Sequence, residues 1–96
     1  AFAAAKFGLR AVAQAAAREL GPKGIHVAHL VIDAGVDTEF VRNRIAEREG
    51  PEALETLAPD RLMTPASVGE TYWRLYSQSR DAWTFETEIR PYGEKW

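Results

Sequence analysis

The residues that could do chemistry are few. Lys6 stands four positions after Phe2, a spacing that in a helix puts both side chains on one face. An ammonium group beside a phenol favours the phenolate, so a tyrosine and a lysine so placed could pass a proton. Phenylalanine has no exchangeable proton, and only the cation of such a pair is present. None of Tyr72, Tyr76 and Tyr92 has a lysine four residues later, and Lys23 and Lys95 follow Glu19 and Pro91 at that distance. His26 and His29 lie in one apolar run with opposite parity, so in a strand they point to opposite faces and cannot share a metal. Each reads first as a satisfied or edge histidine, with catalysis as the lesser reading. With no cysteine there is no thiolate site either, and no metal is expected. Thr38 can cap a helix or touch a ligand, and both readings stand.

The elements that must position these residues follow from pattern. Residues 1–20 are alanine-rich and read as one helix, with Leu9, Val12, Ala13, Ala16 and Leu20 on an apolar face and Arg10, Gln14 and Arg18 largely elsewhere. Alanines over the rest leave it slim, open to close approach by another helix. Gly21-Pro22 stops it, with a glycine available for a left-handed cap. Residues 25–32 are short, β-branched and almost continuously apolar, the pattern of a strand covered on both faces in a parallel sheet. Thr38–Glu49 reads as a polar helix with Phe40, Val41 and Ile45 inward and its charges on a solvated face. Residues 51–57 read as a short helix anchored by Leu54 and Leu57. Thr64-Pro65 is a hydroxyl cap followed by proline at the first helical position, and Met63 with Val68 makes a hydrophobic staple. The helix over 64–79 puts Val68, Tyr72, Leu75 and Tyr76 on one face. Over 82–90, Trp83, Phe85, Thr87 and Ile89 alternate with polar residues, a strand with one buried face. Trp96 reads as a docking residue for a neighbour or another subunit.

At 96 residues, 46% of them hydrophobic, the chain is long enough for one small packed domain. Its net charge of −2 gives no reason to expect nucleic acid or a membrane surface as partner. The lack of cysteine fits a reducing, cytoplasmic setting, and no apolar run approaches the roughly 20 residues that span a bilayer. The sequence has no initiator Met, opens inside a helical pattern and offers two strands, so it is expected to be part of a longer protein. Strand, helical crossover, strand is a parallel β-α-β unit, and the fold class is α/β. Two parallel strands do not make a self-sufficient sheet.

This order resembles the C-terminal half of a short-chain dehydrogenase/reductase over nearly the whole chain. Ala17-Arg-Glu-Leu-Gly-Pro-Lys-Gly-Ile-His-Val27 is similar to the segment joining that family's catalytic helix to its sixth strand. Asp33-Ala34-Gly35-Val36-Asp37-Thr38 is similar to the following Pro-Gly-x-Val-x-Thr turn, with Asp33 at the proline and Ala34 at the first glycine. The resemblance makes residues 1–96 the C-terminal part of one Rossmann-like domain with a doubly wound parallel sheet. Residues 1–20 would be its catalytic helix, 25–32 its sixth strand, 33–62 the substrate-loop region, 64–79 its last large helix and 82–90 its seventh strand.

The resemblance implies an NAD(P)-dependent oxidoreductase acting on a small carbonyl or alcohol. Lys6 would hydrogen-bond the nicotinamide ribose. Asp33, Ala34, Val36 and Thr38 would form the cofactor loop, Val36 by its backbone amide. Phe2 occupies the proton-donating tyrosine's position, a departure that implies impaired or atypical chemistry, since general acid–base catalysis typically supplies about 10²–10⁴-fold in rate. Asp33 is a second departure, a carboxylate near the nicotinamide's place. No glycines are spaced as the dinucleotide fingerprint, which forms the pyrophosphate site, so NAD or NADP would bind the longer protein and not this chain tightly. The alternative is a non-catalytic scaffold or assembly module on the same fold. A homo-oligomer is expected under both.

Overall fold

The computed structural model describes residues 2–94; Trp96, read as a docking residue, lies outside them. Along the chain run α1 (Phe2–Leu20), a 3-10 turn at Gly21–Lys23, β1 (His29–Ile32), α2 (Glu39–Glu49), a 3-10 turn at Pro51–Leu54, α3 (Pro65–Tyr76), a 3-10 turn at Arg80–Ala82 and β2 (Glu86–Ile89). β1 and β2 pair. The His29 amide donates to the Phe85 carbonyl at 2.6 Å and the Asp33 amide to the Ile89 carbonyl at 3.1 Å. Equal steps of four along both strands make the pairing parallel. The α/β class holds. The chain divides into two compact units, residues 1–31 with 72–88 and residues 32–71 with 89–96.

In the first unit α1 has the expected length, but its faces differ from the sequence reading. Leu9 and Val12 are exposed, as are Phe2 and Phe7. The half-covered residues are Arg10, Ala13, Gln14, Ala16, Ala17 and Leu20. The covered face is thus small and partly polar, because Arg10 finds a carboxylate on β2. The left-handed residue is Gly24, at φ 83°, and not Gly21. Gly21–Lys23 first adds a 3-10 turn with Pro22 in its opening, so the chain reverses one turn later than the glycine alone suggests. Extended pairing covers four residues of the 25–32 run, since a strand is laddered only where its partner is. None of that run is fully buried, and Ile25 is exposed. β2 keeps its alternation, with Thr87 and Ile89 half-covered and Glu86 and Glu88 out. The loop before it is braced by Gln78, whose side-chain amide donates to Thr84 Oγ1 and accepts the Thr84 amide, both at 2.8 Å. Tyr72 and Tyr76, read as inward, are exposed.

The second unit holds the buried hydrophobic residues Ile45, Met63 and Val68, at 7%, 8% and 9% exposure. Thr38 caps α2, its Oγ1 accepting the Val41 amide at 3.2 Å. Val41 and Ile45 turn inward as read, whereas Phe40 is exposed under the Arg44 guanidinium, 5.9 Å from its ring centre. Gly50, at φ 94°, ends α2 in a conformation that favours glycine, and Leu54 and Leu57 are half-buried. Thr64 caps α3 by accepting the Ser67 amide at 3.2 Å, Pro65 opens the helix, and Met63 and Val68 are both buried, as the staple requires.

Candidate functional site

Lys6 and Phe2 share one face of α1, with Lys6 Nζ 5.5 Å from the centre of the Phe2 ring. Both are exposed. A cation at that distance is drawn to the ring's negative face, but the ring offers it no proton. The pair can donate hydrogen bonds to ligand hydroxyls through the ammonium group and can shield apolar ligand surface with the ring. It cannot act as an acid–base couple.

The histidines are structural. The His26 ring stacks on Trp83, centroids 4.8 Å apart and nearly coplanar, and its Nε2 lies 2.7 Å from the Thr84 carbonyl oxygen. His29 Nδ1 lies 3.2 Å from Glu86 Oε2, and Arg10 Nε donates to the same oxygen at 2.5 Å. Glu86 is therefore a hub joining α1, β1 and β2. The Arg10 hydrogen bond, with His29 adding to it, holds the Glu86 carboxyl below the usual carboxylate range. Among the described residues no three His, Asp or Glu side chains are grouped to hold a metal ion.

In the second unit Asp33, Ala34, Val36 and Thr38 lie on one loop running from β1 to α2. It is fixed by backbone pairing with the segment before α3. Val36 forms a parallel bridge with Met63, the Asp37 amide donates to the Met63 carbonyl at 2.7 Å, and the Met63 amide donates to the Gly35 carbonyl at 3.0 Å. Gly35 permits this approach, since a Cβ there would sit 3.0 Å from both Leu62 Cδ2 and Val41 Cγ1. The Thr38 hydroxyl is used twice within the loop, accepting the Val41 amide and donating to the Val36 carbonyl at 3.3 Å. Asp33 is ion-paired with Arg90. Asp37 takes Arg42 Nε at 2.6 Å and Nη2 at 3.1 Å, and this hydrogen bonding to Arg42 lowers its carboxyl below the usual range.

Beneath α2 the same unit has an open depression of about 290 Å³. Phe40, Val41, Ile45 and Leu62 give it apolar walls, and Arg44, Arg48, Arg61, Glu49 and Glu94 ring it. Arg61 is clasped by Glu49 through two hydrogen bonds of 3.1 and 2.5 Å, which hold the Glu49 carboxyl below its usual range. Arg44 and Arg48 are in no salt bridge among the described residues, and Arg48 adds a weaker pull on the Glu49 carboxyl. The sequence reading placed these arginines on a solvated face. The signal that could have found the site was the recurrence of Phe40, Val41, Arg44, Ile45 and Arg48 at helical spacing.

Fold and loop together define an α/β protein with a parallel strand pair and a tightly braced loop following its first strand. A crystal structure of a short-chain dehydrogenase from Rhodopseudomonas palustris is similar to this chain, at 49% sequence identity and a TM-score of 0.61. The likeness covers 95% of this chain and 29% of that one. The chain thus spans less than a third of the length of the dehydrogenase it resembles. It supports the short-chain dehydrogenase resemblance and the Rossmann-like character of the fold. No protein-family model matches the chain. No curated protein matches it. No helix among the described residues is long and apolar enough to cross a membrane.

Proposed function

We propose that this chain is the C-terminal part of a short-chain dehydrogenase/reductase-like NAD(P)-dependent oxidoreductase, a cytoplasmic homo-oligomer acting on a small carbonyl or alcohol. The observation that carries the reading is the 49% identity to the Rhodopseudomonas palustris short-chain dehydrogenase over 95% of the chain. Residues 1–96 then belong to one Rossmann-like domain. Lys6 is exposed and able to donate to the ribose hydroxyls. The Val36–Thr38 loop is held rigid by its pairing with Met63, as a loop that positions a carboxamide must be. Bound nicotinamide would supply the hydride chemistry. Asp33 is the departure that matters less, because its charge is matched by Arg90 and is not left facing a ligand alone.

Phe2 is the departure that matters more. Its ring fills the proton donor's position without a proton, so turnover in this reading is impaired or draws the proton from another source. Calorimetry on the longer protein with NADH and NADPH tests cofactor binding, and Lys6→Ala should weaken it. Phe2→Tyr should raise turnover on a panel of aldehydes and ketones by about 10²–10⁴-fold. Absence of binding by either cofactor overturns the reading.

One observation favours a second reading, a non-catalytic assembly module. α1 exposes Phe2, Phe7, Leu9 and Val12, more large apolar side chains than a solvated helix needs. On that reading Phe2→Tyr restores nothing, neither cofactor binds, and Leu9→Glu or Val12→Glu dissociates the oligomer.

A further inference from the structure

The reading above leaves the substrate's chemistry open, and the depression beneath α2 narrows it. Arg44 and Arg48 are one turn apart on α2, so their guanidinium groups can converge on one ligand group. Arg44 is steadied at the rim by the Phe40 ring. Neither guanidinium is in a salt bridge among the described residues, although Arg48 is near enough to Glu49 to help lower its carboxyl. Below them the wall is apolar, with Ile45 buried and Val41 half-buried. The third arginine is not available, because Glu49 holds it in a two-pronged clasp. Counting Arg44, Arg48 and Arg61 against Glu49 and Glu94 leaves the lining one positive charge in excess.

We infer that this depression binds an amphipathic monocarboxylate, its carboxylate on Arg44 and Arg48 and its apolar body against Val41, Ile45 and Leu62. Guanidinium forks match a carboxylate in geometry as well as charge. A single excess charge suits a monoanion. A phosphate dianion would leave one charge unmatched and facing Glu49 and Glu94. The depression, about 290 Å³ and open on one side, gives room for a short apolar body, and an eight-carbon acid serves as its representative. The inference rests on the oxidoreductase reading where it makes that acid the substrate class. The binding itself does not depend on it.

Octanoate is the probe, titrated into the intact protein by calorimetry and by amide chemical-shift mapping without nicotinamide cofactor. Saturable binding with a dissociation constant on the order of 1 mM is expected for a ligand of this size in an open site, with shifts centred on α2 and Leu62. Octanol, which has the same carbon chain and no charge, should bind about tenfold or more weaker, and the Arg44→Gln/Arg48→Gln variant should lose about as much. Both positions are exposed, so circular dichroism of the variant should match the parent. Four outcomes overturn the proposal: no saturation by roughly 10 mM, equal affinity for octanol, undiminished binding by the double variant, or inorganic phosphate competing better than octanoate. Cofactor binding and turnover are measured separately. Octanoate binding without any cofactor binding would sink the oxidoreductase reading and leave this one standing, and cofactor binding without octanoate binding would do the reverse.

Discussion

The two compact units are held together by different means. The second has a small apolar centre in Ile45, Met63 and Val68, and its loop from Asp33 to Thr38 is stitched by backbone hydrogen bonds to Gly35 and Met63. The first has a helix of 19 residues with none buried. Its long-range order comes from the backbone pairing of β1 with β2 and from side chains: Glu86 between Arg10 and His29, Gln78 across Thr84, and His26 against Trp83 and the Thr84 carbonyl. Apolar burial is not weakened by charge screening or by protonation, whereas exposed ion pairs are screened and titrate. The unit that carries Lys6 therefore leans more heavily on contacts that solution conditions can loosen, whereas the second sets its exposed ion pairs, Asp37–Arg42 and Glu49–Arg61, beside an apolar centre.

Substitutions can break this contrast. The largest effect is expected from Met63→Ala. It removes a buried side chain from a small core and should cost about 2–4 kcal/mol, read as a fall in the denaturant midpoint. A cost near zero would mean that the second unit has no core in the energetic sense. Thr38→Ala removes the cap of α2 and should cost about 1 kcal/mol, with faster amide exchange at Val41. Gly35→Ala should cost about 1 kcal/mol as well, because Leu62 and Val41 must each give way.

Acid acts on both units, through Glu86 in the first and through Asp37 and Glu49 in the second. Glu86, Asp37 and Glu49 have carboxyl groups held below their ordinary values by arginine hydrogen bonds. The stability they contribute is complete above the usual carboxylate range and is lost as pH falls through the depressed values. Denaturant midpoints should fall on acidification from that range downward, and Glu86→Gln should flatten the part of the fall that comes from the first unit. The smallest effect is expected from salt. At 1 M, where the screening length is about 3 Å, amide exchange in β1 at His29 should quicken more than at Ile45. Equal change at both would erase the distinction between the units.

What was legible in the sequence was local. The Thr64-Pro65 cap, the Thr38 cap and the extent of α1 each depend on residues within about one helical turn, and each is present, while Met63 and Val68 are both buried. What was not legible was what lies opposite. Leu9, Val12, Phe40, Tyr72 and Tyr76 were read as inward from helical spacing, but spacing tells which residues share a face and not whether anything covers it. Arg10 with Glu86 and Asp33 with Arg90 join residues 76 and 57 positions apart, beyond any local pattern. The strand of 25–32 is laddered over half its length because its partner β2 is four residues long. The loop residues Asp33, Ala34, Val36 and Thr38 fall on one turn as read, but the depression beside them was hidden, because Arg44 and Arg48 look like any solvated charges until Leu62 closes the far wall.

The sheet has a practical consequence. Each of its two strands has one bonded neighbour among the described residues, so each keeps a border of amides and carbonyls able to accept a further polypeptide. Produced on its own, this stretch of chain would offer those borders to its own copies, whereas the further strands of a longer protein would cover them.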